Sequence, residues 1–169
     1  GKLKSGSLDE FRETVEPYRE IFRNEVIGAF DDPLLSANPR SRKFQEGPKT
    51  VSYEVVLDVF PEVFAYGILT LPKSLDLSGR EQHPVVVCQH GLEGRPQDVI
   101  GQLKFRAYKA FATRLAEHGY ITFAPQNLYI GHDRFRTLQF KAAAIGRTLF
   151  SIMVPQHQQM TAWLAEQPF

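Results

Sequence analysis

The clearest candidates for a chemical role in this sequence are three consecutive residues, His90, Gly91 and Leu92, which follow the apolar run 84–88. Glycine at the end of a strand lets backbone N–H groups approach a ligand closely, because it has no Cβ atom. N–H groups that are fixed where negative charge develops form an oxyanion hole, which stabilises the tetrahedral intermediate of acyl transfer. An ordinary turn with a structural glycine explains the same residues equally well. The stretch therefore predicts a turn, with an oxyanion hole as the functional hypothesis.

The segments around this turn predict the elements that position it. The apolar run predicts a strand over 84–90 that is buried on both faces, as in a parallel sheet covered by helices. After a loop over 91–104, segment 105–118 predicts a helix and 120–124 predicts a second buried strand. Such a crossover unit is typical of an α/β protein, whose ligands bind at the carboxyl ends of the strands. The apolar residues of the helix are Phe105, Tyr108, Phe111, Ala112 and Leu115.

The residues before this unit predict an antiparallel hairpin at the edge of the sheet. Its strands cover 53–59, where polar and apolar residues partly alternate, and 64–71. The polar segment 31–48 predicts a loop. Upstream of it, an apolar stripe predicts a helix that packs through this stripe and is broken at Pro17. The stripe consists of Leu8, Phe11, Val15, Tyr18 and Phe22.

The last part of the chain predicts one long helical region over 136–167. Pro155 interrupts the pattern and is expected to kink or split the helix, because proline lacks a backbone N–H. Ser151 lies within the apolar pattern, which indicates a packing role for its side chain.

The turn and the elements after it resemble the α/β-hydrolase superfamily, in particular its dienelactone-hydrolase and acetyl-xylan-esterase-like branch. The resemblance rests on His90-Gly91, the helix end 115–120 (Leu-Ala-Glu-His-Gly-Tyr) and the strand end 124–126 (Ala-Pro-Gln). It implies the N-terminal half of an α/β-hydrolase fold, with an antiparallel edge hairpin leading into a parallel sheet flanked by helices. It also implies that the backbone N–H of Leu92 binds the oxyanion, while His90 and Gly91 shape the turn.

Enzymes of this superfamily use a serine in a Gly-x-Ser-x-Gly turn, followed along the chain by an acid and a histidine. None of the eight serines here has glycine both two positions before and two positions after it. The single cysteine, Cys88, lies within the predicted strand and fits a core residue better than a nucleophile. In the family, the region 136–167 leads into the strand that carries the nucleophile. The resemblance therefore implies a helical extension and loop over 1–49 and a hydrolase domain over 50–169, cut before its nucleophile and inactive alone.

Two loops at the carboxyl ends of the predicted strands offer candidates for the rim of a substrate pocket. Arg95 in the first loop could pair either with a substrate carboxylate or with Asp98. His132 and Asp133 are adjacent in sequence and do not predict a catalytic dyad. The rim candidates are Glu93, Arg95 and Gln97 in the first loop and Asn127, Tyr129 and His132 in the second.

The composition argues against several other classes of function. With 169 residues, of which 43% are hydrophobic, the chain can bury the core of one domain. A net charge of +1 with mixed signs predicts neither a nucleic-acid nor a membrane-surface partner. No apolar run approaches the roughly 20 residues of a membrane span. The five histidines lack metal-ligand spacing and no Gly-x-Gly-x-x-Gly is present, so we predict neither a metal nor another cofactor.

The sequence thus leads to one main functional hypothesis and two alternatives. As an intact protein, we expect a serine hydrolase that acts on a small-molecule or carbohydrate ester, with the missing C-terminal half of the same domain as the partner of this chain. One alternative is a non-catalytic binding or scaffold module with the same fold. The other is different chemistry on this fold, as in a dienelactone hydrolase with a cysteine nucleophile or a peptidase.

Overall fold

The computed structural model describes residues 3–76, 78 and 82–169. The elements are, in chain order, α1 (Leu8–Ile21), a π-helical segment (Phe22–Ile27), β1 (Arg40–Glu46), β2 (Thr50–Phe60), β3 (Val63–Pro72), β4 (Val85–Val87), α2 (Pro96–Ile100), α3 (Phe105–Tyr108), α4 (Phe111–Glu117), β5 (Ile121–Pro125), α5 (Asp133–Ala143) and α6 (Phe150–Ala165). None of the helices in these residues is long and apolar enough to cross a membrane.

The five strands form one mixed sheet in the order β1-β2-β3-β5-β4. The neighbours from β1 to β5 run antiparallel, whereas β4 and β5 run parallel. The predicted hairpin corresponds to β2 and β3, and the predicted crossover corresponds to β4, three short helices and β5. The predicted fold class is therefore confirmed: antiparallel strands lead into a parallel pair, and helices flank the sheet.

Apolar residues fill both faces of this sheet. The alternation along β2 buries Val55, Leu57 and Val59 completely, on the face that α6 covers with Met160 and Leu164. The opposite face packs against α2 and α4 through a second cluster, which consists of Ile68, Cys88, Val99, Ile100, Ala112 and Ala124. β5 is buried along its whole length, because it lies between β3 and β4 with helices on both sides.

β4 is shorter and less buried than predicted. It covers Val85–Val87 rather than 84–90, and Val87 is 39% exposed. The reason is its position, because β4 is the last strand of the described sheet and pairs only with β5. The chain nevertheless continues alongside β5, since Cys88 N–H donates to the Phe123 carbonyl at 2.8 Å.

The predicted loop over 31–48 contains a strand, β1. Most of its side chains are exposed and polar, so the apolar pattern of a buried strand is missing. It is held in the sheet by antiparallel backbone pairing with β2, and two ion pairs accompany this pairing: Arg40 pairs with Asp58 at 2.6 Å, and Arg42 pairs with Glu54.

Two predictions about helix continuity are wrong, and a third is wrong in part. The predicted helix 105–118 is split into α3 and α4, because Lys109 and Ala110 adopt left-handed φ angles of 55° and 54°. Pro17 does not break α1 and Pro155 does not split α6, because both helices continue past these residues; the kink expected at Pro155 stays a prediction. One missing N–H bends a helix without necessarily ending it. The helical region over 136–167 is interrupted instead at 144–149, where Gly146 has a φ of 66°.

The apolar stripe of α1 is also not a packing face in the described structure. No residue of α1 is buried, and Leu8 is 63% exposed. The periodicity of the stripe predicted a helix correctly, but it carries no information about what covers the stripe.

Candidate functional site

His90 anchors the turn that follows β4. The residue is only 5% exposed. Its Nε2 accepts a hydrogen bond from the Asn127 N–H at 3.3 Å, so the ring N–H that donates is on Nδ1. Nδ1 in turn donates to the Gly91 carbonyl at 2.8 Å. Both ring nitrogens therefore hydrogen-bond the backbone, one within the turn and one in the loop after β5.

These contacts fix the orientation of the peptide between Gly91 and Leu92. The Gly91 carbonyl also accepts a hydrogen bond from the Gly94 N–H at 3.0 Å. In a planar trans peptide the N–H points away from the carbonyl, so the Leu92 N–H points away from His90 and Gly94. It donates to no acceptor among the described residues, and Leu92 is 66% exposed. The turn therefore leaves one N–H, that of Leu92, without an acceptor among the described residues.

Two further features keep this turn tight. The Gly91 N–H donates to the hydroxyl oxygen of Tyr108 at 2.8 Å. A Cβ atom on Gly94 would lie 2.7 Å from His90 Nδ1 and 2.8 Å from the Gly91 oxygen. Such distances are too short for any side chain, so the turn closes only with glycine at position 94.

The loop after β5 packs against this turn. The side-chain amide of Gln126 donates to the Gly94 carbonyl at 3.2 Å and to the Asn127 carbonyl at 2.8 Å. Together with the hydrogen bond from Asn127 N–H to His90, these contacts join the ends of β4 and β5. The two loops thus meet at the carboxyl edge of the parallel strands, where open α/β sheets bind their ligands.

Two open clefts flank Asn127. One has a volume of about 450 Å³ and is lined by Gln89 and His157, among others. The other has a volume of about 360 Å³ and includes Tyr66 and Gln126 in its lining. His157 Nε2 lies 3.0 Å from Asn127 Oδ1 and donates to it. Burial and, to a lesser extent, the neighbouring His90 lower the pKa of His157, so its ring is neutral at pH 7.

Of the predicted rim residues, only Asn127 lines these clefts. Glu93, Tyr129 and His132 contact one another instead: the Glu93 N–H donates to the Tyr129 carbonyl at 2.9 Å, and the Glu93 carboxylate accepts the His132 N–H at 2.9 Å. The Tyr129 ring packs edge-on against Phe135, with 5.7 Å between the ring centroids. These three residues therefore connect loops, and a role in substrate binding stays a prediction for them.

The other two rim candidates lie in α2 and at its start. Gln97 lies close to Tyr66 and slightly lowers the pKa of its hydroxyl, but burial and then the hydrogen bond to Glu54 outweigh this effect and raise the pKa to about 12. Arg95 is exposed, and its guanidinium group forms no ion pair with a described residue. Its backbone N–H, however, donates to Asp98 at 2.9 Å.

The pairing of Asp98 differs from the one considered from the sequence. Asp98 is 1% exposed and receives the Arg95 N–H rather than the Arg95 side chain, because an acid at this position caps the start of α2. Its cationic partner is Lys104, with Nζ 3.4 Å from Oδ2.

Sequence analysis missed three residues of this site. Tyr108 was assigned only to the apolar face of a helix, and His157 was considered only as one of five histidines without metal-ligand spacing. Gln126 carried a usable signal, because it is the first polar residue after a buried strand, at the edge where ligands bind.

Among the described residues, Cys88 is not a reactive thiol and no metal-type cluster of side chains is found. Cys88 is 1% exposed, and burial raises the pKa of its thiol to about 12, so the nucleophilic thiolate does not form near neutral pH. In the part of the chain that the structure describes, no three histidine, cysteine or acidic side chains are grouped as a metal site would need.

Comparison with known proteins agrees with this fold. The sequence matches no protein-family model and no curated protein. Among solved structures, it is similar to that of a "putative acetyl xylan esterase" from Bacteroides fragilis, with 15% sequence identity and a TM-score of 0.75. The similarity covers 95% of this chain and 44% of that protein, so this chain spans less than half the length of the structure it matches. At this level of identity the likeness shows the fold, a partial α/β-hydrolase-like fold.

Proposed function

We propose that this chain is the N-terminal part of a serine hydrolase that cleaves carboxylic esters, and that the Leu92 N–H is one of its two oxyanion donors. The observation that carries this proposal is the held peptide: the Gly91 carbonyl is bound by His90 and Gly94, and the Leu92 N–H opposite it has no partner among the described residues. A donor that is fixed before the reaction needs no reorganisation when negative charge develops. The fold shared with the Bacteroides fragilis protein supports an esterase.

The catalytic serine, acid and histidine belong, in this proposal, to residues after Phe169. β4 supports this arrangement, because it pairs only with β5 among the described strands and leaves Val87 exposed. A further strand along the open edge of β4 would end beside Gln89 and the turn at 90–94. A serine at the end of that strand would stand next to the Leu92 N–H.

The reaction then follows the usual course of serine hydrolases. The serine oxygen attacks the ester carbonyl carbon while the histidine takes the hydroxyl proton, and the carbonyl oxygen becomes an oxyanion that accepts the Leu92 N–H. Collapse of this intermediate breaks the bond to the alcohol, which leaves with the proton from histidine. Water attacks the acyl-enzyme in the same manner and releases the acid.

Replacement of Leu92 in the full-length protein tests this role. Leu92→Pro removes the N–H, whereas the matched control Leu92→Ala keeps it and removes most of the exposed side chain. With p-nitrophenyl acetate as substrate, we expect kcat to fall about 10²- to 10³-fold in the proline variant, as for the loss of other oxyanion donors. The alanine variant should stay within about twofold of the wild type. A folded proline variant with unchanged kcat would contradict the assignment.

A non-catalytic module remains the second candidate, because residues 1–169 contain no Gly-x-Ser-x-Gly sequence. A fluorophosphonate probe separates the two functions, since it reacts covalently with activated serines. Labelling of one serine after Phe169 supports the hydrolase. A full-length protein that is folded but takes up no probe supports the binding or scaffold module.

A further inference from the structure

Glu93 is held at three points, more than any other residue of the turn after β4. Its N–H donates to the Tyr129 carbonyl at 2.9 Å, and its carbonyl accepts from Lys104 Nζ at 3.1 Å. Its carboxylate accepts two backbone N–H groups, from Gly131 at 3.1 Å and from His132 at 2.9 Å. Each carboxylate oxygen thus has a fixed donor, and these donors come from the residues just before α5.

The backbone of Glu93 explains why so many contacts are needed. Its φ is 57°, in the left-handed region that a residue with a side chain rarely adopts. Such a conformation persists only where surrounding contacts enforce it. The carboxylate is well suited to this task, because its side chain is only 29% exposed and lies at the positive end of the α5 dipole.

The hydrogen bonds of Glu93 also act on the neighbouring residue, Leu92. Leu92 lies between Gly91, whose carbonyl is held by His90, and Glu93, whose φ is held by the second loop. Without the carboxylate contacts, Glu93 can return to a more favourable φ, and the chain direction after Leu92 changes. The orientation of the Leu92 N–H then depends on His90, on Gly94 and on the two backbone contacts of Glu93 that remain, with Tyr129 and Lys104.

We propose that Glu93 is a positioning residue: its carboxylate ties the turn after β4 to the loop before α5 and so fixes the Leu92 N–H. The catalytic consequence rests on the proposed function, whereas the structural consequence does not. Glu93 was a candidate for contact with substrate; in the structure each of its two carboxylate oxygens accepts one backbone N–H.

The test uses Glu93→Ala in the full-length protein, with Arg95→Ala as the matched control, because the Arg95 side chain is exposed and forms no described ion pair. The first readout is the ¹⁵N order parameter of the Leu92 amide. We expect a rigid value of about 0.85 in the wild type and in the Arg95 variant, and a value below about 0.6 in Glu93→Ala. An unchanged order parameter in a folded Glu93→Ala protein would overturn the proposal. If that variant does not fold, Glu93→Gln replaces it, and we expect an intermediate value because the amide keeps one acceptor oxygen.

The second readout is the hydrolysis of p-nitrophenyl acetate and p-nitrophenyl butyrate. A positioning role predicts that Glu93→Ala lowers kcat roughly 10- to 100-fold with both esters while KM changes little. A rise in KM that differs between the esters, with kcat retained, would assign Glu93 to substrate contact and overturn its positioning role. If the wild type hydrolyses neither ester while the order parameter responds as expected, the proposed function is wrong, but the positioning of the Leu92 N–H by the Glu93 carboxylate is supported.

Discussion

Gly94 offers a direct test of how tightly the turn after β4 is built. In Gly94→Ala, the new Cβ would lie 2.7 Å from His90 Nδ1, 2.8 Å from His90 Cβ and 2.8 Å from the Gly91 oxygen. None of these atoms is the end of a flexible side chain, so the turn itself must move. Overpacking of this kind costs about 1–3 kcal/mol. Loss of the hydrogen bond between His90 and Gly91 adds about 1 kcal/mol.

We therefore expect Gly94→Ala to lower the free energy of unfolding by about 2–4 kcal/mol. Gly47→Ala is the matched control, because its Cβ would have Thr50 Oγ1 as its nearest neighbour at an ordinary 3.5 Å. Urea denaturation of both full-length variants measures the difference, and kcat with p-nitrophenyl acetate should fall only for Gly94→Ala. Equal stability and activity of the two variants would refute the described geometry of the turn.

Two further predictions follow from burial. Burial and His90 lower the pKa of His157 in the folded protein below 6.5. As the pH falls, the unfolded chain therefore binds a proton at this residue before the folded protein does. The free energy of unfolding should then decrease as the pH falls from 6.5 to the pKa of the folded protein. Urea denaturation across this range measures the slope, and an equal slope in His157→Gln would contradict the assignment. Cys88, with its thiol pKa raised to about 12, should resist iodoacetamide at pH 8 until the protein is unfolded in urea. Mass spectrometry that finds rapid, complete alkylation of the native protein would refute the burial of this thiol.

The elements with strong apolar patterns were predicted from the sequence. In the hairpin of β2 and β3, buried residues alternate with partly exposed ones, and β5 is buried along its length. In both cases the order of apolar and polar residues in the sequence follows the burial of the strand, so the strand could be predicted. β1 lacks such a pattern, because most of its side chains are exposed; it pairs with β2 through the backbone and through cross-strand ion pairs of Arg40 and Arg42. Ion pairs between distant segments leave no periodic signal in the sequence.

The turn at His90 and Gly91 was located from the sequence, but the network around it was not. A glycine after an apolar run indicates a tight turn, whichever residues hold it. The donors to Glu93 are backbone N–H groups of Gly131 and His132, and any residue except proline supplies such a group. The split of the predicted helix 105–118 could not be predicted from the sequence either. It occurs at Lys109 and Ala110, which have left-handed φ angles although neither is glycine or asparagine.

The most direct test of the central claim is a crystal structure of the full-length protein after reaction with a fluorophosphonate. The phosphonyl oxygen in such an adduct occupies the position of the oxyanion. We predict that the adduct lies on a serine after Phe169 and that its oxygen is about 2.7–3.1 Å from the Leu92 nitrogen. An adduct whose oxygen is bound by other donors, with the Leu92 N–H directed elsewhere, would contradict the account.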